Sequence, residues 1–131
     1  MAKIINTQGK RKRATARASL REGKGRIRIN NVLLDAYEPK LARLKIREPL
    51  IIAGETGNVD IDVTVVGGGQ SSQADAVRLA IAKALAVYNK KLEKVFLEYD
   101  RHMMVADVRR KETHKPKRHG KARAKVQKSY R

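Results

Sequence analysis

Cysteine and tryptophan are both absent from the 131-residue sequence. Without cysteine the chain has no disulfide, no thiolate zinc ligand and no cysteine nucleophile. Aromatic residues make up only 4% of the chain while hydrophobic residues reach 41%, so a mostly aliphatic core is expected. No apolar run approaches the roughly 20 residues of a transmembrane helix, and no membrane association is predicted.

Acidic residues are scarce beside basic ones. The chain has 31 Lys and Arg against 13 Asp and Glu, a formal net charge of +18. A compact domain with this much charge of one sign repels itself, and the economical explanation is a polyanionic partner whose phosphates neutralise it. The first residues do not form a secretory signal, so an intracellular location is expected. The length predicts one domain.

Alternating apolar and polar residues predict three strands. Every second residue of 14–20 is apolar, and the residues between are polar or basic. The same period resumes over residues 26–29 after a Gly-containing turn at 22–25, so a β-hairpin is predicted. Residues 59–66 are the clearest strand, with Asp60, Asp62 and Thr64 facing outward. The hairpin would carry four arginines on its outward surface: Arg13, Arg17, Arg26 and Arg28.

Proline and glycine punctuate the first helical region. Pro39 predicts the start of a short helix, because a missing N–H costs nothing at the first helical position. Pro49 is expected to break this helix, and a second helix over residues 50–53 is expected to end at Gly54. The apolar side of the first helix is predicted from three residues: Leu41, Leu44 and Ile46.

Two further helices follow the third strand. Residues 74–88 are Ala-rich with apolar residues at helical spacing, which predicts a buried central helix, and Ser72 with Asp75 resembles a capping box. Asn89 is predicted to cap another helix, and residues 103–108 are predicted to be extended. The apolar face of that last helix is predicted from four residues: Leu92, Val95, Phe96 and Tyr99.

Composition changes sharply after Val108. Residues 109–131 contain eleven Lys or Arg and one acid, Glu112, which gives a net charge of +10. So few aliphatic residues cannot bury enough surface to fold alone. We therefore predict a globular RNA-binding domain over residues 1–108 and a basic C-terminal tail over 109–131 that is disordered without RNA. A solubilising tail or a localisation signal is the alternative.

The glycine-rich segment after the third strand resembles a phosphate-binding loop. Gly67, Gly68 and Gly69 precede a predicted helix, whose N-terminus favours anions. A tight strand-to-helix turn also needs glycine, and the two roles are compatible. The segment lacks the Gly-Lys-Ser/Thr ending of a P-loop. The histidines and the Asp60–Asp62 pair form no metal-ligand or catalytic set, so no metal, cofactor or enzymatic activity is predicted.

Five blocks spread in order along nearly the whole chain resemble the family of small-subunit ribosomal protein nine, archaeal type. They are residues 9–18, 27–31, 63–69, 73–85 and 128–131. The resemblance implies an α+β fold, with a small β-sheet packed on one face by helices (ribosomal S-five domain-two-like) and a long basic C-terminal extension. It implies a cytoplasmic protein of the ribosome that binds small-subunit rRNA in the head and contacts neighbouring small-subunit proteins. It also implies a tail whose end reaches the anticodon loop of P-site tRNA.

The candidate site therefore consists of basic residues and the three glycines. A free-standing nucleic-acid chaperone or DNA-compacting protein would share the charge but not the ordered blocks. The terminal motif of the family implies tRNA contacts by Lys128, Tyr130 and Arg131. The predicted rRNA-binding residues are Lys10, Arg11, Lys12, Arg13, Arg17, Arg26, Arg28, Gly67, Gly68, Gly69, Arg109, Arg110, Lys111, Lys115, Lys117, Arg118, Lys121, Arg123 and Lys125.

Overall fold

A computed structural model describes residues 3–54, 57–118 and 120–123 of the chain. Within those ranges the chain forms five strands, three α-helices and two short 3-10 turns, at Leu34–Ala36 and Arg101–Met103. The strands are β1 (Ile5–Arg11), β2 (Ala14–Glu22), β3 (Ile27–Ile29), β4 (Val32–Leu33) and β5 (Val59–Val66). The helices are α1 (Lys40–Ala53), α2 (Gln70–Tyr88) and α3 (Lys91–Tyr99). No helix in the described ranges is long and apolar enough to cross a bilayer.

The five strands form one sheet in the order β1-β2-β5-β3-β4. The predicted hairpin between β2 and β3 is wrong, because β5 lies between them, antiparallel to β2 and parallel to β3. The inward side of β5 is wholly apolar, and the central position buries that face while satisfying both edges of the strand. The true hairpin partner of β2 is β1, a strand that the sequence reasoning missed.

One face of the sheet carries the core, and the helices cover it. Ala14, Ala16, Ala18 and Leu20 of β2 are almost completely buried, as are the four inward residues of β5. Helix α2 packs on β1 and β2 and presents ten buried residues, most of them alanine. The alternation predicted over residues 14–20 and 59–66, the buried central helix and the α+β fold with helices on one face are confirmed.

Small residues allow α2 to lie very close to β1. A Cβ atom built on Gly9 would lie 2.2 Å from the carbonyl oxygen of Ala76 and 2.7 Å from the backbone nitrogen of Ala80. Two residues earlier on β1, the Thr7 hydroxyl donates a 2.8 Å hydrogen bond to the carbonyl of Ala80. Glycine inside a strand often marks such a close backbone approach. Gly9 thus has a packing role besides its place before the basic run.

Helix α1 departs from the prediction in two ways. It continues through Pro49, which is fully buried, so the packing of that ring outweighs the lost backbone hydrogen bond. Leu41 and Leu44, predicted on the apolar side, are instead exposed, because the helix turns Ala42, Ile46 and Leu50 toward the core. The predicted end at Gly54 is confirmed, with this residue in the left-handed conformation that glycine adopts readily.

The caps of the two later helices also differ from the prediction. Helix α2 begins at Gln70 with Gly69 as its N-cap, so Ser72 lies inside the first turn and forms no capping box. The Asn89 carboxamide oxygen does accept a hydrogen bond from the Lys91 N–H, 3.2 Å away, at the start of α3. On that helix Leu92 and Phe96 are buried, whereas Val95 and Tyr99 are exposed because they flank the narrow buried stripe. The predicted extended segment is wrong at its start, where Met103 is the buried end of a 3-10 turn.

Asp60 organises the turn that leads into β3. One of its carboxylate oxygens accepts hydrogen bonds from the backbone N–H groups of Lys24, Gly25 and Arg26, at 3.0, 3.1 and 2.8 Å. These donors, the Arg26 N–H first among them, hold the pKa of Asp60 below its ordinary value. The outward acids of β5 are therefore structural groups, since the neighbouring Asp62 is likewise paired with Arg21 and Arg28.

Candidate nucleic-acid interface

Three segments that are distant in sequence meet at one end of the sheet. They are the turn between β1 and β2, the glycine segment that enters α2, and the residues that follow Val108. Together they form an open groove of about 750 Å³. Its lining residues are Lys12, Arg13, Gly68, Gly69, Ser72, Arg109, Arg110 and Lys111. Five of these eight residues are cationic, so the groove presents concentrated positive charge to solvent.

The glycines bring the strand-to-helix loop against the β1–β2 turn. Gly67 and Gly68 have φ values of +79° and +67°, which glycine adopts without strain. A Cβ on Gly67 would lie 2.5 Å from the carbonyl oxygen of Arg13, and one on Gly68 would lie 3.0 Å from the nitrogen of Ala14. Gly69 has no such neighbour within 4 Å. Gly67 and Gly68 therefore allow the loop to pack against the β1–β2 turn, and the space beside Gly69 is open.

The N-terminus of α2 opens onto this groove. The first N–H groups of a helix have no partner within it, and they lie at the positive end of the helix dipole. No acidic residue occupies the first turn of α2, and no side chain caps it. The Gln73 side chain donates to the carbonyl of Gly67 at 3.1 Å and so fixes the loop from the helix side. Ser72, which the sequence analysis assigned to a cap, adds a hydroxyl to the groove wall.

Ion pairing divides the predicted rRNA-binding cations into two groups. Within the described ranges, Arg11 pairs with Asp107 and Asp75, Arg28 with Asp62, Arg109 with Asp107 and Arg123 with Glu112. The other described cations of the predicted set form no ion pair with a described acid. They are Lys10, Lys12, Arg13, Arg17, Arg26, Arg110, Lys111, Lys115, Lys117, Arg118 and Lys121. The second group keeps its full charge for an external anion.

The outward face of the sheet is less basic than the alternation suggested. Arg28 donates to Asp62 at 2.8 Å, and this hydrogen bond raises the pKa of Arg28. Arg21 approaches the same carboxylate at 3.3 Å, so Asp62 pairs with both Arg21 and Arg28. Arg17 is exposed on this face, opposite Gln8 on β1 and Thr64 on β5, and pairs with no acid in the part of the chain that the structure describes. The free positive charge therefore lies toward the groove end of the sheet.

The described part of the tail continues the basic surface. A second groove of about 570 Å³ shares Arg13 and Lys111 with the first and extends to Lys121. The Lys115 N–H donates to the carbonyl of Lys121 at 2.8 Å and closes a loop that exposes Lys117 and Arg118. The predicted site residues Lys125, Lys128, Tyr130 and Arg131 lie outside the described residues.

Asp107 is a residue at this site that the sequence reasoning missed. Its side chain is only 10% exposed and contacts Arg11 of the body and Arg109 of the tail. The signal in the sequence is an acid two positions before the arginine that opens a dense run of cations. Asp side chains at such a position commonly accept a hydrogen bond from the backbone N–H two residues on.

Comparison with known proteins identifies the family of the chain. The profile of the ribosomal protein S9/S16 family matches residues 9–131. The small ribosomal subunit protein uS9 of Methanothrix thermoacetophila is 52% identical over 132 residues, covering 98% of this chain and 99% of the relative. The uS9 proteins of Methanococcus maripaludis and Methanococcus vannielii are each 50% identical over 133 residues, with the same coverage. The chain belongs to the ribosomal protein S9/S16 family, in its archaeal form.

Proposed function

We propose that the chain binds small-subunit rRNA in the head of the subunit through the basic groove and the tail, and that the end of the tail reaches P-site tRNA. The observation that carries the rRNA proposal is the convergence of three segments on one groove: the β1–β2 turn, the glycine segment and the start of the tail, residues 109–111, here called the tail root. Unpaired cations beside helix N–H groups suit a phosphate backbone.

The family fixes the coarser part of this function. The chain is a structural constituent of the small ribosomal subunit and is not an enzyme. Its partners there are rRNA and other ribosomal proteins, and its location is the ribosome of the cytoplasm. Binding in the head of the subunit and contact with P-site tRNA are proposed from the family resemblance.

Phosphate neutralisation supplies most of the binding in this proposal. None of the described residues that line the groove is acidic, so a phosphate that enters it gains several charge contacts together, with Lys12, Arg13, Arg110 and Lys111. Each neutralised phosphate releases counterions and contributes roughly −0.7 to −0.9 to the slope of log K against log salt. We further propose that residues 1–108 are the folded body and that residues 109–131 order along RNA, their entropic cost offset by this release.

Replacement of two arginines tests the basic surface: Arg13, which lines both grooves, and Arg17, which is exposed on the outward face of the sheet. We expect Arg13→Ala and Arg17→Ala each to weaken binding to a small-subunit rRNA fragment about three- to tenfold, because each removes a cation that forms no ion pair with an acid of the described residues. Arg28→Ala should cost less, since Asp62 already neutralises that guanidinium. Affinity is measured by filter binding at several salt concentrations, and the fold is checked by thermal melting.

Arg47→Ala is the matched control for this series. Arg47 pairs with Asp35 on the α1 side of the molecule and lines neither groove. Its replacement should leave rRNA affinity within about twofold, because exposed ion pairs contribute little and the charge lies away from the groove. Equal losses for Arg13→Ala and Arg47→Ala would mean that binding responds to net charge alone, and the groove would not be the site.

The tRNA contact is proposed for the terminal motif, Lys128 to Arg131. Arginine offers a planar fork of donors that suits phosphate, and Tyr130 offers a stacking face with a hydroxyl. Removing residues 128–131 should leave subunit assembly largely intact, because the body and most of the tail charge remain. It should weaken retention of P-site tRNA on purified subunits about three- to tenfold, measured by filter binding.

The decisive comparison is between the extent of subunit assembly and the retention of P-site tRNA, with retention measured on fully assembled subunits. An assembly defect together with normal tRNA retention in the assembled fraction would reject the tRNA role. The terminus would then serve as an rRNA contact only. Changing Ser129 to Ala is the matched control, because this substitution keeps Lys128, Tyr130 and Arg131 in place.

A further inference from the structure

Asp107 holds the point where the tail leaves the body. One of its carboxylate oxygens accepts a 2.9 Å hydrogen bond from the backbone N–H of Arg109, and the other accepts from the Arg109 guanidinium at 2.7 Å. The Arg11 guanidinium donates to that second oxygen. The carboxylate therefore fixes the local turn of the chain and ties it to the last residue of β1.

The attachment continues into the helices. Arg11 also lies 3.7 Å from a carboxylate oxygen of Asp75 on α2, and the other oxygen of Asp75 lies 3.5 Å from the Lys45 ammonium on α1. The Arg11 side chain is only 22% exposed, so the ion-pair network of Asp107, Arg11, Asp75 and Lys45 is partly shielded from solvent. Arg11 is among the residues predicted to bind rRNA, but its guanidinium pairs with Asp107 and Asp75. Arg11 is therefore the residue of the body to which Asp107 attaches the start of the tail.

Apolar burial does not hold the segment in place. Met103 is fully buried, but Val108 is 89% exposed, so the hydrophobic anchoring of the chain ends before the tail root. Beyond Arg109, the hydrogen bonds and ion pairs of the described residues join the tail to itself, as in Glu112 with Arg123 and Lys115 with Lys121. Within the described ranges, Asp107 is thus the last side chain that pairs the C-terminal segment with the body.

We infer that Asp107 is a positioning residue for RNA binding. It directs the tail root so that Arg110 and Lys111 enter the groove beside Lys12 and Arg13. An acid here improves the binding of a polyanion, although its own charge is repelled by phosphate. This inference rests on the proposed binding of rRNA.

Asp107→Asn separates this role from simple electrostatics. The variant raises the net charge by one, so charge alone predicts tighter binding to a small-subunit rRNA fragment and a steeper salt dependence. The positioning role predicts about tenfold weaker binding, because two long basic side chains lose their preset place and must be ordered on binding. Asp107→Glu keeps the charge and should restore most of the affinity.

Asp35→Asn is the matched control, since it makes the same charge change at an exposed acid paired with Arg47, away from the groove. It should bind the rRNA fragment as tightly as the unmodified chain or slightly more tightly. Tighter or unchanged binding by Asp107→Asn as well would overturn the positioning role.

A distance measurement tests the anchor without RNA. The absence of native cysteine allows spin labels at Val87→Cys on α2 and at Val108→Cys, an exposed position next to Asp107. The distance distribution should be narrow in the parent and broad after Asp107→Asn or after Arg11→Gln, which removes the same contact from the body side. An unchanged distribution in Arg11→Gln would overturn the anchor even if Asp107→Asn failed to fold. Failure of the parent to bind the rRNA fragment would instead reject the proposed function and leave the anchor to be decided by the distances.

Discussion

Removal of residues 109–131 is expected to lower affinity for a small-subunit rRNA fragment by about a thousandfold or more at low salt. The deletion removes eleven cations and one acid. If about six of those cations neutralise phosphates, the slope of log K against log salt should become shallower by about four to five. Filter binding across a salt series measures both quantities, and circular dichroism checks that the shortened chain keeps its helices.

A chain of the same length whose tail cations are all changed to Gln separates charge from contact length. It should behave like the truncated chain, because the proposed contacts are made by charge. Equal slopes for the full-length and shortened chains would assign the phosphate contacts to the body. A Gln-substituted tail that bound as tightly as the natural one would reject the electrostatic role.

Gly9→Ala is expected to destabilise the fold by about 2–3 kcal/mol. The added Cβ would meet two backbone atoms of α2, at Ala76 and Ala80, and neither can move without displacing the helix. Overpacking of this kind typically costs about 1–3 kcal/mol. The melting temperature should fall by roughly 10 °C, measured by circular dichroism or calorimetry.

Gly69→Ala is the matched control for this substitution. The Cβ at Gly69 has no atom within 4 Å, and the residue does not have a positive φ. Its cost is expected to stay below about 1 kcal/mol, as for an altered N-cap. Similar losses at the two glycines would show that α2 does not lie as close to β1 as the structure indicates.

Local patterns predicted the elements whose environment repeats along the chain. Residues 14–20 and 59–66 alternate because one side of each strand meets the helices, and that period is visible without knowing the partners. Helix α2 was predictable because nearly every residue over two turns is small or apolar. Gly54 marked the end of α1 because few other residues adopt a positive φ readily.

The errors arose where a distant partner decides the outcome. A turn signal at residues 22–25 predicts that the chain reverses, but it does not say which strand lies beside β2. Pro49 stays within a helix because of what its ring packs against, which no local propensity contains. Leu41 and Leu44 were misjudged because the direction of α1 toward the core is set by the sheet.

The candidate site was predictable as a set of residue types but not as an arrangement. The charge excess identified the kind of partner and most of the basic residues. Neutralisation of Arg28 by Asp62 depends on the parallel register of β3 with β5, which the sequence does not display. The groove needs three segments to meet, and the anchoring of Arg11 by Asp107 joins positions 96 residues apart.

The central position of β5 has a consequence for the order in which the protein folds. The β1–β2 pair is local, but β2 must find a partner 37 to 51 residues further on, since Glu22 pairs with Val59 and Thr15 with Val66. Closing such a loop costs chain entropy before the pairing returns any stability, which slows folding. During synthesis, the apolar side and one edge of β2 stay uncovered until β5 and α2 have emerged. In that interval the nascent chain offers an open strand edge to other chains, and a chaperone acting on it would have most effect there.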